Sequence, residues 1–403
     1  MHPKRLLLII GALALAPSLA PRLRAADVTP DSGPAAAPAA LPPLPQAMDV
    51  PAPGPKTDAP YVPQPIVPGG IVIPLYPPDS PYLNKSKITE PEKYGFYDDP
   101  TKIGYVVHIH NPSIEFHSGD IKLNTGAAII LAAGGAHQRL GVGGEGADAV
   151  YYFSNYGINT IILRNRLKSD GYDPKTDEVN DALQAIKMVR AYAKEWKIDP
   201  NKIGIMGFSA GAELAAAATL QWADFDKKND VPGNPFAKVS SRPDFSALIY
   251  PGPSQFARGG TPVIPRDIPP SFITCAGWGD WIHAVWATEY FTAMLNDGVP
   301  NVEMHIYARG HHPGDKVAAG EPPSSGGLSD RGGIAYGKWG ERFIDWFKDL
   351  GFLGAPGVET QAAKDVAANI NRVKKSAVWN PHPPAATGAP TTAPTPDTTK
   401  KEP

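Results

Sequence analysis

The sequence predicts an α/β domain built on a mostly parallel sheet, and three observations lead there. Short apolar runs of strand length alternate with longer segments of helical periodicity through the middle of the chain, the pattern of crossover units. One such run, Lys202-Ile203-Gly204-Ile205-Met206, passes through Gly207-Phe208-Ser209-Ala210-Gly211 directly into an Ala-rich segment. Proline, 46 in 403 residues, is unevenly placed and densest toward the two ends.

Taken in order, strands are expected at Gly104–His110, Ile114–His117, Ala127–Ala132, Thr160–Leu163, Ile203–Met206, Ala247–Tyr250, Ser271–Thr274 and Val302–Ile306. Helical spacing marks Glu178–Trp196, Ala210–Trp222, Val285–Asn296 and Tyr336–Leu350. In the first of these, Val179, Leu183, Ile186, Val189 and Tyr192 fall on one face. No helix separates the first two strands, which predicts an antiparallel hairpin at one edge of the sheet.

The ends read differently. Residues 1–26 have the layout of a secretory signal: Lys4 and Arg5, an apolar run from Leu6 to Ala16, then small residues with cleavage at Ala25 or Ala26. The apolar run is too short to stay as a membrane span, so the reading is an exported protein, periplasmic or extracellular, without stable membrane insertion after signal removal. Residues 27–70 and 355–403, rich in Pro, Ala and Thr, are expected to be extended tethers, with one short helix near Thr360 to Lys375. The catalytic domain is therefore placed at 71–354. A net charge of -2 offers no field for nucleic acid. The single cysteine, Cys275, forms no internal disulfide, so the core must hold without covalent staples.

The chemistry starts at Ser209. Glycines on either side of it, between a strand and a helix, permit a sharp turn that exposes the hydroxyl, while the helix N-terminus adds partial positive charge. The alternative is an ordinary Gly-rich strand-to-helix turn. A serine hydroxyl needs a base, and the order Ser, acid, His selects residues farther along. His311, directly after Val302–Ile306, is favoured as base, with His312 as its competitor. Asp280, after the turn Gly277-Trp278-Gly279, is expected to orient the imidazole. An oxyanion hole requires backbone N–H groups: Ala210 from the elbow and Gly134, Gly135 and Ala136 from the loop after Ala127–Ala132. No His-x-x-x-His or Cys pair appears, so neither metal nor cofactor is expected.

Together these residues resemble the acetyl esterase and feruloyl-esterase-like (acetyl xylan esterase-like) branch of the α/β-hydrolases, over about Ile73 to Phe352. The likeness is carried by His110-Asn111-Pro112-Ser113-Ile114, Asn124-Thr125-Gly126-Ala127, Glu145-Gly146, Asp181-Ala182, Asp199-Pro200 and Gly207–Gly211. It implies an α/β-hydrolase fold, with an eight-stranded, mostly parallel sheet flanked by helices and an antiparallel N-terminal edge. It further implies a Ser209–His311–Asp280 triad acting on carboxylic esters of acetyl or feruloyl type, as small molecules or on plant polysaccharide. Departures are Ala136 and His137 where a third glycine and an aromatic are usual, and a Gly-Trp-Gly-Asp turn where the branch has an Asp-rich one. Two other readings share this fold: a serine peptidase using the same triad, and a non-catalytic carbohydrate-binding relative.

Overall fold

In a computed structural model of the chain, the described residues are 40–47, 59–96, 101–260, 262–320 and 334–372. The expected signal segment and most of the expected C-terminal tether lie outside them.

Eight strands form one sheet in the order β1-β4-β6-β5-β7-β8-β9-β10. They are β1 (Ile71–Pro74), β4 (Ser113–His117), β5 (Ala128–Ala132), β6 (Asn159–Arg164), β7 (Ile203–Phe208), β8 (Ser246–Ile249), β9 (Ser271–Trp278) and β10 (Glu303–Arg309). The pairs from β6 through β10 are parallel, whereas β1–β4 and β4–β6 are antiparallel. Every residue of β5, β6 and β7 is buried, which explains why they read as unbroken apolar runs: parallel strands are covered on both faces.

Successive side chains of these strands feed two cores. Ala128, Ile130, Ile161 and Leu163 face α2 (Val179–Ala191), α3 (Ala210–Asn229) and α4 (Trp281–Asp297). Ile129, Leu131 and Ile162 face α1 (Asp148–Ser154) and α5 (Trp339–Asp349), whose Phe343 and Phe347 stack at 5.1 Å.

Two expectations are corrected. The hairpin of Gly104–His110 with Ile114–His117 does not form. Instead β3 (Ile103–Val107) pairs with β2 (Lys93–Phe96) in a separate two-stranded sheet, and β4 lies between β1 and β6. The chain leaves strand geometry at His108, whose φ is 60°. Ile71–Pro74 is short and follows a Pro-rich run, so its strand character was hidden, yet it takes the edge place.

The packed region is also wider than 71–354. The N–H groups of Ile66 and Val67 donate to the buried Glu115 carboxylate at 2.6 and 2.9 Å, and Leu41 and Leu44 pack on the core. After Ala355, α6 (Gln361–Ile370) forms where a short helix was expected; the Thr360 hydroxyl caps it by accepting from Ala363 N–H at 3.0 Å. Ala362 and Val366 are buried beneath it. Proline density misled here because Pro-rich segments pack well as extended edge chain when side chains supply the missing hydrogen bonds.

The end of β6 is fixed by charge. Arg166 forks onto Asp181 of α2, Nε to Oδ2 at 2.9 Å and Nη2 to Oδ1 at 2.8 Å, with both side chains buried. Asp181→Ala removes the buried partner of that guanidinium and leaves it only the half-exposed Asp177 carboxylate, 3.2 Å from Nη1. The expected loss is about 3–5 kcal/mol, read from urea unfolding; a loss below 1 kcal/mol would show the pair to be dispensable.

Candidate functional site

After β5 the chain crosses to β6 on one side, then to β7 on the other. Such a reversal opens a crevice at the carboxyl ends of the two diverging strands. The loop after β5 and the elbow after β7 therefore face each other.

Ser209 stands at that elbow with φ 51° and ψ −118°. This conformation is costly for an L side chain and persists only when its surroundings over-determine it. They do so here: Ser209 N–H donates to Ile249 O at 3.0 Å, and Ser209 O accepts from Ala212 and Gly252 N–H at 2.9 and 3.2 Å. The flanking glycines are steric necessities. A Cβ on Gly207 would stand 2.1 Å from Gly211 O, and one on Gly211 would stand 2.0 Å from Ala132 O.

The imidazole beside Ser209 belongs to His312. Its Nε2 lies 2.9 Å from Ser209 Oγ and its Nδ1 lies 3.2 Å from Asp280 Oδ2. The favoured His311 is thus corrected to its competitor. Gly310 N–H still donates to Trp278 O at 3.0 Å, so the chain stays extended past β10, and neighbouring side chains of extended backbone face opposite ways. The His311 ring goes to Gly279, where a Cβ would meet it at 2.9 Å. The His312 ring goes to the elbow, edge-on to Tyr250 at 5.1 Å.

Asp280 sits at the end of β9 as expected, with its side chain only 2% exposed. A second imidazole, missed in the sequence, shares it. His283 Nδ1 hydrogen-bonds Asp280 Oδ1, and its ring stacks on that of His312 at 3.9 Å and 8°. Burial pushes the Asp280 carboxyl up, but the hydrogen bonds from His283 and His312 outweigh it and hold the group below its ordinary value. The only signal available was a histidine three residues after Asp280, on the first turn of α4.

In the loop after β5, Gly134 N–H donates to Glu145 Oε2 at 2.6 Å. That commitment removes Gly134 from the expected oxyanion donors. The buried Glu145 is itself held by Tyr250 OH, which donates to Oε1 at 2.9 Å. Gly135 and Ala136 line the cleft of about 840 Å³ that contains Ser209 and His312. Ala210, first residue of α3, carries an N–H with no carbonyl four residues back within the helix.

His137, where the resembled branch has an aromatic, ties this loop to two helices. Its Nδ1 lies 2.9 Å from Glu178 Oε2 and its Nε2 lies 3.4 Å from Glu213 Oε2, on the first turn of α3. Burial lowers its pKa, while the bonds to Glu178 and Glu213 more than reverse this, to about 9 from 6.5. Ala136 and His137 both have positive φ, 55° and 59°, a strain this double anchor can hold.

Three likenesses bear on the arrangement. Residues 128–250, from β5 to just past β8, match the family model BD-FAE. An acetylxylan esterase of Xylanibacter ruminicola is 33% identical over 127 residues, covering 32% of this chain and 23% of that protein. An endo-1,4-beta-xylanase B of Butyrivibrio fibrisolvens is 28% identical over 136 residues, covering 34% and 20%. The chain thus matches only about a fifth of the length of these relatives. Among solved structures, an acetyl ester-xyloside bifunctional hydrolase from Caldicellulosiruptor lactoaceticus superposes with TM-score 0.50 at 25% identity, covering 71% of this chain and 98% of that one.

The His137 anchor has a defined pH signature. A folded pKa raised from 6.5 to about 9 stabilises the charged form; its contribution is full below pH 6.5 and lost as pH rises through about 9. Urea unfolding of the protein and of His137→Gln should therefore differ most near about pH 6 and converge near about pH 10. A gap that is unchanged across that range would mean the imidazolium contributes nothing.

Proposed function

We propose that this chain, an α/β-hydrolase related to the acetyl esterase and feruloyl-esterase-like branch, hydrolyses carboxylic esters through an acyl-enzyme on Ser209. The observation that carries the reading is one imidazole placed between a serine hydroxyl and a buried carboxylate, at 2.9 and 3.2 Å.

Each residue then has a role. Ser209 Oγ attacks the ester carbonyl while His312 Nε2 accepts its proton. Asp280 Oδ2 accepts the His312 Nδ1–H, fixing the tautomer and offsetting the positive charge that forms. The N–H groups of Ala210 and of Gly135 or Ala136 face the developing oxyanion, where removing one donor typically costs about 3 kcal/mol of barrier. His312 next protonates the leaving alkoxide. Water, deprotonated by the same imidazole, attacks the acyl-enzyme and releases the acid and free Ser209.

The substrates are acetyl or feruloyl-type esters such as those borne by plant polysaccharide. Support comes from the acetylxylan esterase likeness and from an open cleft that Tyr105, Gln138 and Arg139 line together with Ser209. Trp278 and Trp281, on either side of Asp280 in the turn, are exposed at 58% and 67%; their flat apolar faces suit a sugar ring. Export by the N-terminal signal fits a substrate outside the cell. Among the described residues no helix is long and apolar enough to cross a membrane.

A fluorophosphonate should label the protein once per chain, and Ser209→Ala should abolish the label. His312→Ala should reduce hydrolysis of p-nitrophenyl acetate by about 10⁴-fold or more, near the level of Ser209→Ala, whereas His311→Ala costs far less. Equal losses for His311→Ala and His312→Ala would undo the assignment of the base. Cleavage of short peptides in preference to acetylated xylan or feruloyl esters would move the function to a peptidase.

A further inference from the structure

Away from Ser209, three elements bring metal-ligating atoms together. His108 and His110 follow β3, Asp170 lies in the turn after β6, and Glu90 precedes β2. His108 Nδ1 is 3.7 Å from Asp170 Oδ1, and His110 Nε2 is 3.5 Å from Glu90 Oε2. One ligand atom each from His108, His110 and Asp170 falls within 4.8 Å of the others. We propose that His108, His110 and Asp170 form a binding site for a divalent cation of borderline softness, Zn²⁺ foremost, with Glu90 beside His110.

The spacing is the first argument. Separations of 3.5 and 3.7 Å are long for hydrogen bonds between charged partners. They are close to the edge of a tetrahedron, about 3.3 Å, that bonds of about 2.0–2.1 Å to zinc would span. The ligand atoms of His108, His110 and Asp170, all within 4.8 Å of one another, would close in on a shared ion.

The outer contacts are the second. His110 is buried, and its other nitrogen, Nδ1, is 2.9 Å from Tyr172 OH. The other Asp170 oxygen, Oδ2, accepts from Ile109 N–H at 3.2 Å. Each of these two ligands thus has its rear atom held and its front atom aimed at the cluster, the support that metal ligands require. Lys87 donates its Nζ–H to the Asp170 backbone carbonyl at 3.2 Å rather than to the carboxylate.

The third is backbone. His108 has φ 60°, uncommon for a non-glycine residue, and that turn sets its ring 6.4 Å from the His110 ring. An ion here would tie the chain after β3 to the Lys168–Asp170 turn. That turn is bonded to the loop after β5, since Ser169 N–H donates to His137 O at 3.2 Å and Ser169 Oγ–H to Gln138 O at 3.1 Å. The cation would stiffen the loop bordering the Ser209 cleft without touching substrate.

The test uses the full mature chain stripped with a chelator, and reads binding rather than turnover. Zn²⁺ titrated against a chromophoric chelator should show one equivalent bound per chain and raise the thermal midpoint by several degrees. His108→Ala and Asp170→Asn should each weaken binding at least about tenfold and remove that rise. Their midpoints without metal, matched to the parent, report that they fold. Should either variant fail to fold, Co²⁺ loaded into the parent chain gives an independent reading: intense visible absorption marks a tetrahedral site, and a pale octahedral spectrum overturns the proposal. Absence of a bound equivalent overturns it as well. So does an equivalent unaffected by these variants but lost in His283→Ala, which would put the ion on Asp280, His283 and His312.

Discussion

The close approach of two backbones governs the rest of the site. Gly211, in the first turn of α3, lies so near the end of β5 that any side chain would enter the Ala132 carbonyl, and Gly134 comes close to the elbow, where a Cβ would stand 2.6 Å from Phe208 O. Hydrogen atoms in place of side chains at 134, 207 and 211 let the loop after β5 and the elbow after β7 share a wall. Without that contact, Ser209 and the N–H groups of Gly135 and Ala136 would not border one cleft. The strained backbone at Ser209 is a consequence, held by bonds to Ile249, Ala212 and Gly252.

Around this contact the charges are arranged in layers. Glu145 takes the N–H of Gly134 and the hydroxyl of Tyr250, fixing the loop from below. The imidazole of His137 bridges Glu178 and Glu213 from the side, so that loop and α3 are joined through one cation. Glu145 and Glu178 lie in low-dielectric surroundings, where an unmatched carboxylate is expensive and a matched one is a stiff anchor. Replacing the usual aromatic at position 137 by histidine exchanges packing for such a bridge.

How much of this could be read from the sequence follows from the range of each interaction. The elbow was legible because its strand, glycines, serine and helix are contiguous, and local sterics decide it. Asp280 was legible because a parallel strand delivers its next residue to the same end of the sheet. The choice between His311 and His312 was not, because it depends on where extended backbone ends after β10, a one-residue parity set by pairing with Trp278. Gly134 likewise looked like an oxyanion donor until Glu145, eleven residues on, took its N–H. The edge strand Ile71–Pro74 and the packed 59–70 segment escaped notice because their hydrogen bonds and burial come from Glu115 and the core, partners that composition does not reveal.

The pairing of two imidazoles on one carboxylate sets a constraint on the proposed reaction. When His312 takes the serine proton it becomes a cation whose ring lies 3.9 Å from that of His283. Two unit charges at that separation repel by about 4 kcal/mol at an effective dielectric constant near 20, enough to cancel the advantage of the carboxylate. His283 must therefore be neutral during the step, donating its Nδ1–H to Asp280 Oδ1 while leaving Oδ2 to His312. In that state it helps the site: it fixes the carboxylate plane, and its polarisable ring covers the His312 face that water would otherwise reach.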